Sequence, residues 1–319
     1  MTAARIRVGA RLLAQIFIGL VVGAALLWLA MRWISADELR LAAAAVETRW
    51  LAAAAAIYWL SMASRIVRWK GLLRPFAPLP LASVGNALLI GYALNTLIPA
   101  RLGELLRADL CARFYGIPRG GALGSILLER WLDAAAVVLA LGIGLAVAPL
   151  RAGAQQTAVS AAIAGGVICA GVAFVLIAAR SLWSVAWVAR WPAVGRFIRT
   201  MADALAGLPT ASLAAAATAT CAIWALDAAT IWSVVRGLGI ELAPGVAAVV
   251  LGVVALAALL PSAPGFVGSY QFAFALILDG LGYSAAHGVL AATLIQVWLL
   301  APMTLAGIIL FLRGRPNAA

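Results

Sequence analysis

Metal and thiol chemistry have almost nothing to work with in this chain. It holds one histidine, His287, and three cysteines, Cys111, Cys169 and Cys221, that share no paired spacing. A zinc site, a disulfide framework and a histidine-based catalytic triad each need more than that. Charge is scarce as well. Only 11% of the 319 residues are charged, against about 25% in a soluble domain. Acidic residues are the scarcest, 11 against 23 Lys and Arg, which leaves a net charge of +12. That excess does not point to nucleic acid, because the basic residues sit in short clusters between apolar runs and no polar stretch is long enough for a nucleic-acid-binding domain. Also missing are the alternating segments of about ten residues that build an outer-membrane barrel.

What is present is hydrocarbon. Hydrophobic residues make up 66% of the chain, and several runs reach the roughly 20 residues that cross a bilayer core as a helix. The expected fold is an all-α polytopic membrane protein, one transmembrane domain over residues 1–319. The basic start "MTAARIRVGAR" leads into an apolar run, Leu12 to Met31, long enough to be a retained first helix rather than a signal sequence. Arg65, Arg68, Lys70 and Arg74 close the second run and read as a cytoplasmic exit. The loop from Arg180 to Asp203 carries four arginines and reads the same way, which puts both termini in the cytoplasm.

Two segments break the pattern. Leu81 to Ile98 is apolar but is interrupted by Gly85, Asn86, Gly91 and Asn95, ended by Pro99, and followed by Arg101, Glu104, Arg107 and Arg113. Either it is a full span with the polar segment outside, or it turns near Pro99 and comes back as a re-entrant hairpin near 81–113. Four arginines between Arg101 and Arg119 favour the cytoplasmic return. The second segment, near 245–283, is split by "PSAPGFVGS", in which Pro261, Pro264, Gly265 and Gly268 leave backbone groups that must face protein or a wet cavity. About six full spans plus two proline-broken hairpins result, one hairpin in each half (1–150 and 151–319) and entered from opposite faces. That is the layout of an inverted-repeat transporter. The alternative is about eight ordinary spans kinked at proline.

The polar residues concentrate in the first half. In "LLERWLDAAAVV", Glu129 and Asp133 lie four apart on one helical face, with Arg130 turned about a quarter of the way round. Each charge near the bilayer centre costs about 2.5 to 3.5 kcal/mol on insertion scales, so both acids need a partner or a proton. Arg101 and Arg107, which flank Glu104 at three-residue spacing, are the available cations. Such a group is either an ion-pair network that fixes packing or a headgroup site whose arginines fork onto a phosphate. Asp227, alone in "CAIWALDAATIW", is a relay or a packing bond.

"RIVRWKGLL", "LNTLIPARLGELLRADLC", "LLERWLD" and "LPSAPGFVGSYQFAF" together resemble the lysylphosphatidylglycerol synthase transmembrane-region family, also described as flippase-like. The most specific part is Asn95, Pro99, Arg101, Gly103, Glu104 and Arg107, followed by Glu129, Arg130 and Asp133. The resemblance implies a lipid flippase, acting on aminoacylated phosphatidylglycerol in some relatives and on polyprenyl-linked glycans or hopanoids in others. Two departures stand out. The soluble synthase domain of bifunctional relatives is not expected, since few residues follow the last run. Many relatives carry a second glycine where this chain has Phe266, and a glutamate near Gln271.

The resulting expectation is a protein of a bacterial cytoplasmic membrane that moves an anionic or isoprenoid-type lipid between leaflets. Arg101 and Arg107 would hold the phosphate, and Glu104, Glu129 and Asp133 would be counter-ions or proton carriers. Asn95, Pro99, Gly103, Arg130, Pro264, Gly265, Gly268 and Gln271 would support them. No catalytic residue, metal or cofactor is expected, and the partner is membrane lipid, not nucleic acid. The rivals are a membrane enzyme using Glu104 or Glu129 as general base on a headgroup, and an accessory subunit beside lipid- or glycan-synthesis enzymes.

Overall fold

The structure is a computed structural model that describes residues 2–32, 34–98, 102–148, 150–182, 203, 207–259 and 262–313. Pro99, Arg101, Pro261 and most of the basic loop after Leu182 therefore lie outside the described residues. The regular elements among the described residues are all helices, with no strand among them. The helices are α1 (Thr2–Met31), α2 (Ala36–Ala44), α3 (Thr48–Leu73), α4 (Leu81–Leu97), α5 (Leu102–Tyr115), α6 (Arg119–Val147), α7 (Ala152–Leu182), α8 (Thr210–Arg236), α9 (Pro244–Ala257), α10 (Ser269–Gly280) and α11 (Ala285–Leu312). Of these, α3, α6, α8 and α11 are each long and apolar enough to cross a membrane. The α1/α2 pair, bent by 86°, is a fifth candidate. Helix α2 starts at a reciprocal capping box formed by Ser35 and Glu38.

Proline sets most boundaries. Pro80, Pro118 and Pro209 precede α4, α6 and α8, and Pro244 opens α9, where a missing N–H costs nothing. Helix α4 stops at Ile98, whose extended backbone (φ −116°, ψ 127°) is what a following proline requires. Inside α11, residues Ile295–Leu300 form a wider π-type turn ahead of Pro302, whose ring cannot accept a regular helical turn before it.

The packing has a two-part plan. Helices α3 and α8 lie against each other along their lengths, and Glu47 pairs with Gly237, Ser61 with Asp227 and Arg68 with Thr220. Residue numbers rise on one helix as they fall on the other, so the two run antiparallel. Each then leads into a helical hairpin, α4/α5 or α9/α10. The ends of each hairpin adjoin: the Tyr115 hydroxyl donates to the Ser83 carbonyl at 3.2 Å, and the Tyr283 hydroxyl to the Glu241 carbonyl at 3.1 Å. Each hairpin's first helix also packs on the closing helix of the other set, α4 on α11 and α9 on α6. At both seams glycine permits the approach: a Cβ on Gly307 would overlap the Leu89 carbonyl, and one on Gly144 would overlap Val249. Two apolar clusters, one centred on α8, α9 and α10 and one on α3, α4 and α6, bury these seams.

Candidate functional site

The two hairpins meet where α4 touches the turn Pro264–Phe266. In the first hairpin the arms close unusually tightly. A Cβ on Gly103 would overlap the Gly91 carbonyl oxygen, a Cβ on Gly91 would overlap the stem of Arg107, and the Gly103 N–H donates to Asn95 Oδ1 at 2.8 Å. The second tip is built from left-handed backbone at Gly265 (φ 74°) and Gly268 (φ 91°). Gln271 Oε1 accepts from the Gly268 N–H at 2.9 Å while its amide donates to Gln296 Oε1 at 2.6 Å, and Gln296 donates to the Gly265 carbonyl at 3.0 Å. Helix α1 braces this tip from outside through Gly23, whose carbonyl would overlap a Cβ on Gly268.

Charged groups converge from four helices beside the tips. Ser61, Arg65 and Arg68 share one face of α3, and Thr220, Trp224 and Asp227 share the opposing face of antiparallel α8. Arg68 is the hub. Its Nη1 donates to Asp133 Oδ1 at 2.7 Å and Thr220 Oγ1 at 2.8 Å, and its Nη2 reaches Glu129 Oε1 at 3.3 Å. Arg107 donates to the other Glu129 oxygen at 2.8 Å, with its guanidinium 3.8 Å from the centre of the buried Trp69 ring. Trp224 Nε1 adds a donor to Asp133 at 3.2 Å. Arg65 pairs with Asp227, which also accepts from Ser61 Oγ at 2.6 Å. Arg130 sits 3.6 Å from Glu104 and 3.5 Å from Asp133. Among the described residues, four arginines thus face four carboxylates, and their charges balance.

The network has two layers around a cavity of about 540 Å³. Arg68, Arg107 and Glu129 are buried behind its wall. Arg65, Glu104, Arg130, Asp133 and Asp227 line it, together with Tyr92 and Asn95. Most of the remaining wall is apolar, from Met62 and Val137 through Leu256 and Leu259 to Phe266, Tyr270 and Phe274. Several polar atoms at the charged end have no hydrogen-bond partner among the described residues: Arg130 Nε and Nη2, Glu104 Oε1 and the Tyr92 hydroxyl. Unmade bonds of this kind in a buried setting call for a partner.

The expected residues are distributed unevenly over this geometry. Asn95, Gly103, Glu104, Arg107, Glu129, Arg130 and Asp133 do come together. Arg107 has no exposed surface: its Nη2 is turned to Glu129 and its guanidinium is stacked on Trp69, while its Nε and Nη1 have no hydrogen-bond partner among the described residues. Among the described residues, Glu104 lies 3.6 Å from Arg130. Pro264, Gly265, Gly268 and Gln271 shape the opposite tip. Arg65 and Arg68 were read as part of a cytoplasmic exit. The structure turns both inward, Arg68 being only 3% exposed, and leaves Lys70 and Arg74 at the surface. Their spacing with Ser61, at positions i, i+4 and i+7, was the signal that they share a face.

The pattern of the family described as Lysylphosphatidylglycerol synthase TM region matches residues 16–307. The chain belongs to the lysylphosphatidylglycerol synthase transmembrane-region family. Both hairpins and every residue of the charge network fall inside that match. Among curated proteins, Glycosyltransferase AglD of Haloferax volcanii is 26% identical over 283 residues, covering 76% of this chain and 45% of the relative. This lysylphosphatidylglycerol synthase transmembrane-region chain thus spans less than half the length of that relative. No solved structure matches it.

Proposed function

We propose that the protein binds a phosphate-bearing lipid between its two hairpin tips and carries the headgroup from one leaflet to the other. The observation behind this reading is the cavity itself, hydrocarbon along most of its wall and ending in cations with unfilled donors. An amphiphile has the same division. Arg130 is the cargo ligand in this reading: it lines the cavity, and its long pairing with Glu104 leaves two N–H groups for phosphate oxygens. Arg65 supplies the second positive charge. Arg68 and Arg107 hold the wall in place. A phosphate entering a neutral network brings a negative charge that a low-dielectric site does not tolerate alone. Glu104, the acid that Arg130 would release, takes up a proton or swings away as the phosphate arrives, with Asp133 as the alternative proton carrier. Hairpins entered from opposite faces would let the cavity open to each leaflet in turn, as inverted repeats do.

The name of the Haloferax relative supports a second reading, in which this membrane unit holds a lipid that carries or receives a sugar beside a glycosyl-transfer enzyme. Leaflet exchange of a labelled lipid in proteoliposomes, normalised to folded protein, separates the two. Exchange by the wild type that falls about tenfold in Arg130→Gln and partly recovers in Arg130→Lys is the expected result. Tight lipid retention with no exchange supports the second reading. Neither retention nor exchange removes both.

A further inference from the structure

The cavity is too small for the whole of the cargo that its wall suggests. A volume of about 540 Å³ suits a drug-sized molecule, not a phospholipid with two acyl chains, so most of the hydrocarbon must lie elsewhere. The wall shows where. Among the described residues that line the cavity, only Ile168 on α7 and Leu259 just past the end of α9 are exposed, at 37% and 44%. They belong together. Helix α6 runs antiparallel to α9, with Leu141 against Gly252 and Gly144 against Val249, and antiparallel to α7 across the short turn that joins them, so α7 and α9 run parallel. Gly165 of α7 is buried, and a Cβ on it would touch Leu256 of α9 at 3.7 Å. One turn further along each helix come Ile168 and Leu259. The seam between the two helices therefore passes from closed to open within a single turn. Ile168 and Leu259 stand about 24 and 22 Å of helix from the starts of α7 and α9, within the roughly 30 Å of a hydrocarbon core. Lipid chain, not water, meets the opening.

We infer that the cavity opens sideways into the bilayer between α7 and the end of α9, and that the chains of the bound lipid leave through this portal while the headgroup stays at Arg130. The inference rests on the lipid reading above and adds to it the path of the chains. A chain drawn fully into the protein would lose its lipid neighbours and freeze its rotors, and both losses weaken binding. A chain threaded through the portal keeps most of its length in hydrocarbon. Carbons beyond Ile168 and Leu259 then touch bilayer in the bound and the free state alike, so only the headgroup and the first part of each chain need a place inside. The cavity supplies that much.

The test uses hexadecyl phosphate with a diazirine at the chain end, photolysed on purified protein in lipid nanodiscs, the labelled residues being located by mass spectrometry. Saturable labelling within a turn of Ile168 or Leu259 is expected, and it should fall about tenfold in Arg130→Gln, which loosens the headgroup without touching the opening. Labelling confined to the buried wall around Leu299 and Met303 overturns the portal and leaves the lipid cavity standing. Labelling at the portal that Arg130→Gln does not change is ordinary bilayer contact, and it overturns the lipid reading as well. A second measurement plugs the opening. The double variant Ile168→Trp, Leu259→Trp should weaken binding of hexadecyl phosphate about tenfold and keep that of butyl phosphate, short enough to stay inside, within about twofold. Both positions are exposed, so folding is spared. Equal losses for the two phosphates, or the same loss in Ile163→Trp, a position exposed on α7 but off the cavity, overturn the portal.

Discussion

Arg68 and Arg130 carry the same charge within the same network and should respond differently to loss. Arg68 bonds to two carboxylates and a threonine with no solvent in reach, so Arg68→Gln leaves Glu129 and Asp133 short of a cation. Breaking a buried pair from one side costs about 3 to 5 kcal/mol, and folded yield should collapse. Arg130→Gln should leave yield almost unchanged and weaken lipid binding. Size-exclusion profiles and thermal unfolding in detergent, beside lipid-binding assays, check the contrast; equal losses of yield would make the network purely structural. The acids of this network were legible in the sequence because two carboxylates one helical turn apart in an apolar run demand an explanation. Arg65 and Arg68 were not, because a rule that counts arginines between apolar runs ignores helical phase. Only their register with Ser61 separates them from Lys70 and Arg74.

Among the elements, the two hairpins were visible through Pro99, Pro261 and Pro264, prolines in the sequence where hydropathy alone would continue a helix. What the sequence could not show is their closure, since the Gly91 to Gly103 approach depends on the angle between two helices. The second tip tests the same point with two neighbouring glycines. Gly265 has φ 74° but open space around it, so Gly265→Ala should cost only the left-handed strain of about 1 to 2 kcal/mol. At Gly268 the left-handed backbone is combined with a Cβ that would collide with the Gly23 carbonyl of α1. Gly268→Ala should therefore displace either the tip or α1 and lower the unfolding temperature far more. Similar unfolding temperatures for the two variants would show that α1 does not brace the tip.

For the molecule as a whole, the antiparallel run of α3 and α8 sets the hairpin mouths at opposite ends. Their partnership joins residues more than 150 positions apart, as Ser61 and Asp227 show, and no local pattern announces it. With both termini cytoplasmic as proposed, Arg74 beside the first mouth faces the cytoplasm and Glu241 beside the second faces outward. Single cysteines at these exposed positions, in a background without Cys111, Cys169 and Cys221, give the check. An impermeant thiol reagent should label Glu241→Cys in intact cells and Arg74→Cys only after lysis. Labelling of both from the same side would rule out the opposed mouths.

The balance of four arginines against four carboxylates also bears on energetics across the membrane. A transmembrane voltage acts on every unit charge that moves through it, by about 2.3 kcal/mol per 100 mV. If the described charges, which sum to zero, move as one unit, they offer that field nothing to pull on. Any voltage dependence of leaflet exchange is then the signature of the cargo and of whatever proton travels with it. In proteoliposomes held at a potassium diffusion potential, a phosphate diester moving alone should be driven by the voltage as one charge, and one accompanied by a proton should ignore it. The slope of rate against voltage would reveal the valence of an unidentified lipid before its chemistry is known.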